Sequence, residues 1–362
     1  MPGPAERPAV VVTGGALVVG ATVAVLGACL LLVLLVVAVR ARRHRRQRRD
    51  ERLLSPLRPP LITVASGEDD DGTAVHTLRR ATGESRTVLD RTIVGLLTKI
   101  RGVPAEQLVG VLEKHGAVQA AAKELTSRST VRRARAAQVL GLARAGDTVP
   151  LLVRALDDEA VEVRNSAAYA LGLIGDAAAA GPVLSAIGHP ERGLPAATAA
   201  ETLQSMGVGI SEVLRGGLHD EHPRTRMVAA HLSGERSFTR GLPDLRHLLD
   251  HDTDVTVRET CAAAIGRLGR AEDVKVLARH TGQDEPLSLR RACANALREL
   301  GDPAAVPALA GLLVDPDPRL AELAATALLG LGPRGREALV VHEDGPAVRS
   351  ARLVASLQRA SA

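Results

Sequence analysis

Val163-Arg164-Asn165-Ser166-Ala167-Ala168-Tyr169-Ala170-Leu171-Gly172 decides the fold, because it returns along the chain. Val257-Arg258 leads to Ala264-Ile265-Gly266, and Leu289-Arg290 leads to Ala296-Leu297, with a spacing of about 31 residues. A period of that size marks a solenoid, in which one unit carries too little apolar surface to fold alone and neighbours must stack. The product is an extended surface rather than a pocket, and that shape suits binding another protein. With no Trp, one Tyr and one Phe among 362 residues, the core is built of Leu, Val, Ile and Ala. Ala and Leu favour helices, and alternating β-branched runs are missing, so the chain reads as all-α, an α-solenoid of stacked antiparallel helix pairs.

The punctuation of one unit is explicit. Gly301-Asp302-Pro303 offers a residue able to take the left-handed helix-ending conformation, a capping carboxylate, and a proline suited to the first helical position. A short helix follows, then the turn Asp315-Pro316-Asp317-Pro318, then a second helix. The same template places second helices at 133–143, 163–174, 196–206, 225–234, 257–268, 289–300 and 320–331. That makes about seven repeats over 126–345, and a worn eighth beginning at Val348-Arg349 forms a C-terminal cap at 346–362.

The Val-Arg-x-x-Ala-Ala-x-Ala-Leu-Gly and Gly-Asp-Pro-x-Ala-Val-Pro-x-Leu cores together resemble HEAT repeats, specifically the short bacterial kind named for phycobilisome lyases. That resemblance implies a superhelix of helix pairs with the second helices lining its concave side, and an activity of protein binding. It also leaves room for a lyase-like, cofactor-attaching or enzyme-accessory role, and for nucleic-acid binding on a HEAT-like face.

Charge bears on the last of these. Eight arginines between Arg40 and Arg52, against Asp50 and Glu51, carry +6 of the formal +5, which leaves the remainder near −1. A nearly neutral body lacks the clustered cationic face that phosphate binding needs, so nucleic acid is not expected as a partner. Residues 9–39 contain no charge, and as a helix they span about 46 Å against a hydrocarbon core of about 30 Å. We expect a single transmembrane helix there, after a short extracytoplasmic segment at 1–8. The basic segment 40–52 follows it, and the positive-inside rule puts the N-terminus outside and the repeats in the cytoplasm, at the cell membrane. A cleaved signal peptide carries its charge before the apolar run, the reverse of this order. Ala16, Gly20, Ala24 and Ala28 fall on one face of the span, where a second copy can approach and form a homodimer. Residues 53–85 read as a linker with short elements, and Pro59-Pro60 stops a helix from running through. Residues 86–125 read as an N-terminal helical cap.

Catalytic motifs are missing: no phosphate loop, zinc-protease pair, nucleophile elbow or paired cysteines at metal spacing occurs. We expect no enzyme activity, cofactor, metal or small-molecule substrate. His219-Asp220-Glu221-His222 and Asp250-His251-Asp252-Thr253-Asp254 hold ligand-type side chains, yet they occupy the acidic inter-helix turns, where capping explains them. Cys261 and Cys293 replace alanines of the repeat and read as small packing residues.

Two sets of residues remain. Arg133, Arg164, Arg226, Arg258 and Arg290 open successive second helices near acidic turns and read as an inter-repeat ion-pair ladder, interrupted at Ala196 and Ala321, where looser joints are expected. Asn165, Tyr169, Glu201, Gln204, His231, Arg267, Asn295 and Arg298 are the candidate protein-binding positions, with Tyr169 as the anchoring aromatic. The expected partner is another protein, such as a membrane-associated enzyme.

Overall fold

A computed structural model describes residues 11–341, 345, 346 and 348–352, with the backbone alone for 11–25, 29, 43, 46 and 208. Among the described residues there are helices and turns and no strand. The chain divides between Ala117 and Val118 into two compact units.

The first unit opens with α1 (Val11–Leu54), a single 44-residue helix in which the apolar run and the arginine-rich segment are one element. α2 (Arg58–Ser66), α3 (Thr73–Arg79), α4 (Gly83–Leu97) and α5 (Val103–Lys114) follow. A one-turn 3-10 segment at Ser55–Leu57 separates α1 from α2, and Pro59 and Pro60 sit in the first turn of α2, where their missing N–H groups cost nothing. The stretch expected to be a linker is therefore mostly helical, and it is packed: Leu61, Val64, Val75 and Leu78 are buried with Ile93, Leu108 and Leu112. The acidic stretch before α3 is fixed by Asp69, whose two carboxylate oxygens accept the N–H groups of Ala74 and Val75, each at 2.9 Å. Arg49 pairs with Glu84, and Arg91 with Asp50, so the end of α1 is tied to α4. The segment expected as one helical cap, 86–125, is split by the unit boundary: α4 and α5 lie in the first unit and α6 (Ala117–Glu124) opens the second.

Among the described residues no helix is long and apolar enough to cross a membrane. The part of the apolar run whose side chains are described, residues 26–39 apart from 29, lies on about 21 Å of helix, short of a bilayer core. Its aliphatic side chains, Leu30 to Leu35 among them, are exposed. Ala16, Gly20 and Ala24 lie outside the residues with described side chains, so the small-residue face expected there is not defined beyond Ala28.

The second unit is the solenoid. Its second helices are α7 (Thr130–Leu142), α9 (Val161–Ile174), α11 (Ala196–Ser205), α13 (Pro223–Glu235), α15 (Val255–Leu268), α17 (Leu287–Leu300) and α19 (Pro318–Gly330). Between them run short first helices, α8 (Val149–Ala155), α10 (Ala180–Ser185), α12 (Ser211–Gly217), α14 (Leu242–His251), α16 (Val274–Arg279) and α18 (Val306–Gly311), and α20 (Gly332–Val341) closes the series. From α7 to α17 each second helix packs on the next, and from α9 to α19 each packs on its own first helix. Of the eighth unit, residues 348–352 are helical, with Val348 and Ala351 buried, and the remainder lies outside the described residues.

The caps follow from the residues named above. Gly301 ends α17 at φ +65°, where a Cβ would be strained, and the Asp302 carboxylate accepts the N–H of Ala304 at 2.8 Å. Pro303 then opens a 3-10 turn ahead of α18, and similar turns precede α8, α10, α12, α14 and α16. The first helices are short because this tighter turn takes the place of their first α-helical turn. Stacking is set by the glycine that closes the repeat motif: a Cβ on Gly141 would lie 2.5 Å from the Ala170 Cα, and one on Gly266 would lie 2.7 Å from the Ala296 Cα. Glycine opposite alanine lets consecutive helix backbones meet and buries the Leu and Ile side chains beside them.

Candidate protein-binding face

The second helices present one row of positions to solvent. Gln138, Tyr169, Glu201, His231 and Thr326 are exposed at equivalent places on α7, α9, α11, α13 and α19, with Ala263 and Asn295 half-exposed between them. One helical turn further on, Gln204, Arg267 and Arg298 are exposed as well. Tyr169 keeps 47% of its surface open, which leaves an aromatic ring available in a row of otherwise polar or small side chains. Two of the eight candidate positions are engaged differently from the rest. Asn165 is half-buried, and its Oδ1 has no hydrogen-bond partner among the described residues. Arg267 pairs with Glu235 of the preceding second helix at 2.6 Å, an ion pair that sequence reasoning missed because glutamate and arginine stand 32 residues apart.

The arginine column lies to the side of this row, along the turns. Arg133 grips Asp158 with Nε and Nη2, both at 2.7 Å, and Arg226 grips Asp252 in the same way at 2.7 and 2.8 Å. Arg258 reaches Glu285 at 2.5 Å, and Arg290 pairs with Asp315. Each partner is an acid of the following repeat's turn. The preceding acidic turn supplies backbone carbonyls instead, as Asp220 and Glu221 do for Arg226 Nη1. The Arg133 fork holds the Asp158 carboxyl below its ordinary range. Burial would raise Asp252 and Glu285, but their hydrogen bonds to Arg226, and to Arg258 and His280, bring both below the ordinary range.

Arg164 has no carboxylate from the following repeat. α11 begins at Ala196, which stands at the arginine position itself, because Pro195 precedes it and the turn 189–194 is non-helical. The contact of α11 with α13 is correspondingly sparse, and so is that of α17 with α19. The second of these keeps its rung through Arg290, so arginine alone does not decide tightness. Both joints lack the stacking glycine, replaced by Gln204 and Arg298, but α9 meets α11 about as sparsely as α17 meets α19 although Gly172 stands there facing Thr202 and Ser205, so glycine alone does not decide tightness either.

His280 is a further group that sequence spacing did not reveal. It is buried with Nε2 2.7 Å from Asp250 and Nδ1 2.7 Å from Glu285, joining α14 to the turn before α17. Burial pushes the Cys261 and Cys293 thiols up to about 12, which leaves them inert packing atoms. Among the described residues no group of His, Cys, Asp and Glu is arranged to hold a metal ion. His222 and His219 turn instead to single aspartates, Asp220 and Asp244.

Family models place this architecture. Residues 118–204 and 211–292 match the model for HEAT repeats, and residues 289–315 match the PBS lyase HEAT-like repeat. The second unit is therefore an all-helical solenoid of HEAT/armadillo-like repeats. Among solved structures, a mutant of Kap121p is similar over 81% of this chain and 36% of its own, at 10% identity and a TM-score of 0.56. The karyopherin Kap121p bound to the SUMO protease Ulp1p gives 10% identity and 0.53 over the same shares. The chain thus spans about a third of the karyopherin, and the likeness is one of fold. The complex of CpcE and CpcF of phycocyanin lyase from Nostoc sp. PCC7120 is 18% identical over 67% of this chain and 94% of that one, with a TM-score of 0.27. No curated protein sequence matches the chain.

Proposed function

We propose that the protein is a non-catalytic scaffold that docks another protein on the exposed row of its second helices while anchored to the cell membrane by the apolar run of residues 9–39. The observation that carries the docking role is the row from Gln138 through Tyr169, Glu201 and His231 to Thr326, solvent-facing at equivalent positions of successive second helices, with Ala263 and Asn295 half-exposed within it. The anchoring role is supported by the exposed aliphatic side chains of α1 and the arginines that follow them in the same helix. In this reading the N-terminus is outside, the repeats are cytoplasmic, and the partner is a protein held near the bilayer, such as a membrane enzyme.

Crosslinking mass spectrometry on the full chain in native membranes tests both parts. A recurrent partner crosslinked around Tyr169 and Glu201, together with protease protection of the N-terminal residues and not the repeats, is the expected result. Absence of any recurrent protein neighbour, or repeats protected on the outer side, overturns the corresponding half of the proposal.

A further inference from the structure

The rungs of the arginine column are not all filled in the same way. Arg133 and Arg226 share a pose in which Nη1 donates to carbonyl oxygens of their own repeat's turn, leaving the Nε–Nη2 edge to close on a carboxylate of the next. Arg164 has the first half of that pose: Nη1 donates to the carbonyls of Asp158 at 2.8 Å and Glu159 at 3.1 Å. It is only 7% exposed, yet its Nε has no hydrogen-bond partner among the described residues. The nearby Asp158 carboxylate feels its charge but gives both oxygens to Arg133. A guanidinium held through Nη1, with its Nε cut off from water and unpaired, is costly unless something completes it.

The chain explains why nothing internal does. At the other rungs the acid lies 25 to 27 residues after the arginine: Asp158 after Arg133, Asp252 after Arg226, Glu285 after Arg258, Asp315 after Arg290. Counted from Arg164, that window holds His189-Pro190-Glu191. His189 Nε2 turns to Asp157 at 3.4 Å, its Nδ1 accepts the N–H groups of Glu191 and Arg192, and Glu191 is exposed. Arg192 donates to the Asp157 carbonyl, so the turn is folded back on the preceding repeat. Val153, Leu156, Pro182 and Pro190 line a mostly apolar cleft of about 400 Å³, with Asp157 and His222 at its wall.

We propose that Arg164 is the anion-accepting position of a second docking site, which takes an acidic segment of a partner protein. A Glu or Asp side chain of that segment lies on the Nε–Nη2 edge, as Asp158 and Asp252 lie on Arg133 and Arg226, and an adjoining aliphatic side chain enters the cleft. Because Nε is covered, the side chains around it shift as the carboxylate arrives. This site rests on the protein-binding reading but is separate from the Tyr169 row.

The test is fluorescence anisotropy of a fluorescein-labelled peptide, Gly-Leu-Glu-Glu-Leu-Gly amide, with the full chain in detergent micelles. Its Gln-Gln twin is the control. The Glu peptide is expected to bind saturably, and the twin at least tenfold more weakly. Arg164→Lys, which keeps charge but loses the fork, weakens binding at least tenfold. His189→Asp provides an internal carboxylate within the window, so it raises the melting temperature and also weakens the Glu peptide at least tenfold, with Arg164 left in place. Equal binding of the twin, no saturable binding of the Glu peptide, or a His189→Asp chain that is more stable yet binds the peptide as before, each overturns the site. If His189→Asp leaves recovery of the crosslinked partner unchanged, the scaffold reading stands and this site alone fails.

Discussion

At the scale of single residues, the rungs of the arginine column make the sharpest predictions. The Asp252 side chain is almost wholly buried beneath Arg226, so Asp252→Asn removes a charge-assisted, two-point bond and leaves a guanidinium short of its partner. The expected loss is roughly 2 kcal/mol, measured as a shift in urea midpoint. The acid limb follows from the lowered carboxyls of Asp158, Asp252 and Glu285. A carboxylate whose folded pKa lies below its unfolded value contributes its full stability above the unfolded value and loses it as pH falls through the folded one. Urea midpoints should therefore be level between about pH 7 and 5 and fall from about pH 4 downward, with Asp158→Asn showing a shallower fall. Unchanged midpoints at about pH 3 would remove the ladder as a source of stability. The column was legible in the sequence because arginine recurs at one register position. Which carboxylate it meets was not, since pairing runs forward to the next turn, about 26 residues away, while the preceding turn and helix end offer backbone carbonyls, those of Asp220 and Glu221 to Arg226 and those of Leu249 and Thr281 to Arg258 and Arg290.

Between elements, stacking rather than helix propensity sets the tightness of the joints. Replacing Gly266 by Val drives side-chain atoms into the Ala296 backbone, and the expected cost is about 1–3 kcal/mol with helical circular dichroism retained. Gly95 is the contrast: it is an exposed position inside α4 with nothing near a Cβ, and Gly95→Ala should gain about 0.5–1 kcal/mol. Calorimetry on the two variants separates close approach from intrinsic helix preference. All seven second helices could be read from the repeat, because each repeats the spacing of Ala and Leu, and four of them the closing Gly as well. The 3-10 turns that shorten the first helices could not, since they arise where a capping Asp or a proline meets the packing of the next helix. The helices at 58–66 and 73–79 were equally hidden: each is too short to show a clear period, and they are helical because Asp69 and the buried face of α5 hold them.

Across the whole molecule, the packing of the thiols offers a simple global probe. Cys261 and Cys293 should resist alkylation at about pH 8 in the native protein and react fully in urea, with the rate reporting opening of the solenoid. Docking should be sensitive to Tyr169→Ala with little change in melting temperature, because the ring is already half in water. The row bearing Tyr169 was foreseeable from periodicity, as was the aliphatic character of the spine. The gap at Arg164 was not, because the unequal length of the turn at 189–194 shows its effect only once the backbone is laid out. The composition also equips the protein for its own study. With no tryptophan and Tyr169 as the one tyrosine, emission excited in the tyrosine band, beyond the absorption of phenylalanine, arises at a single spot on the solvent-facing row. A ligand with neither tryptophan nor tyrosine that settles there alters the intensity or anisotropy of that light, so contact can be followed without attaching any dye.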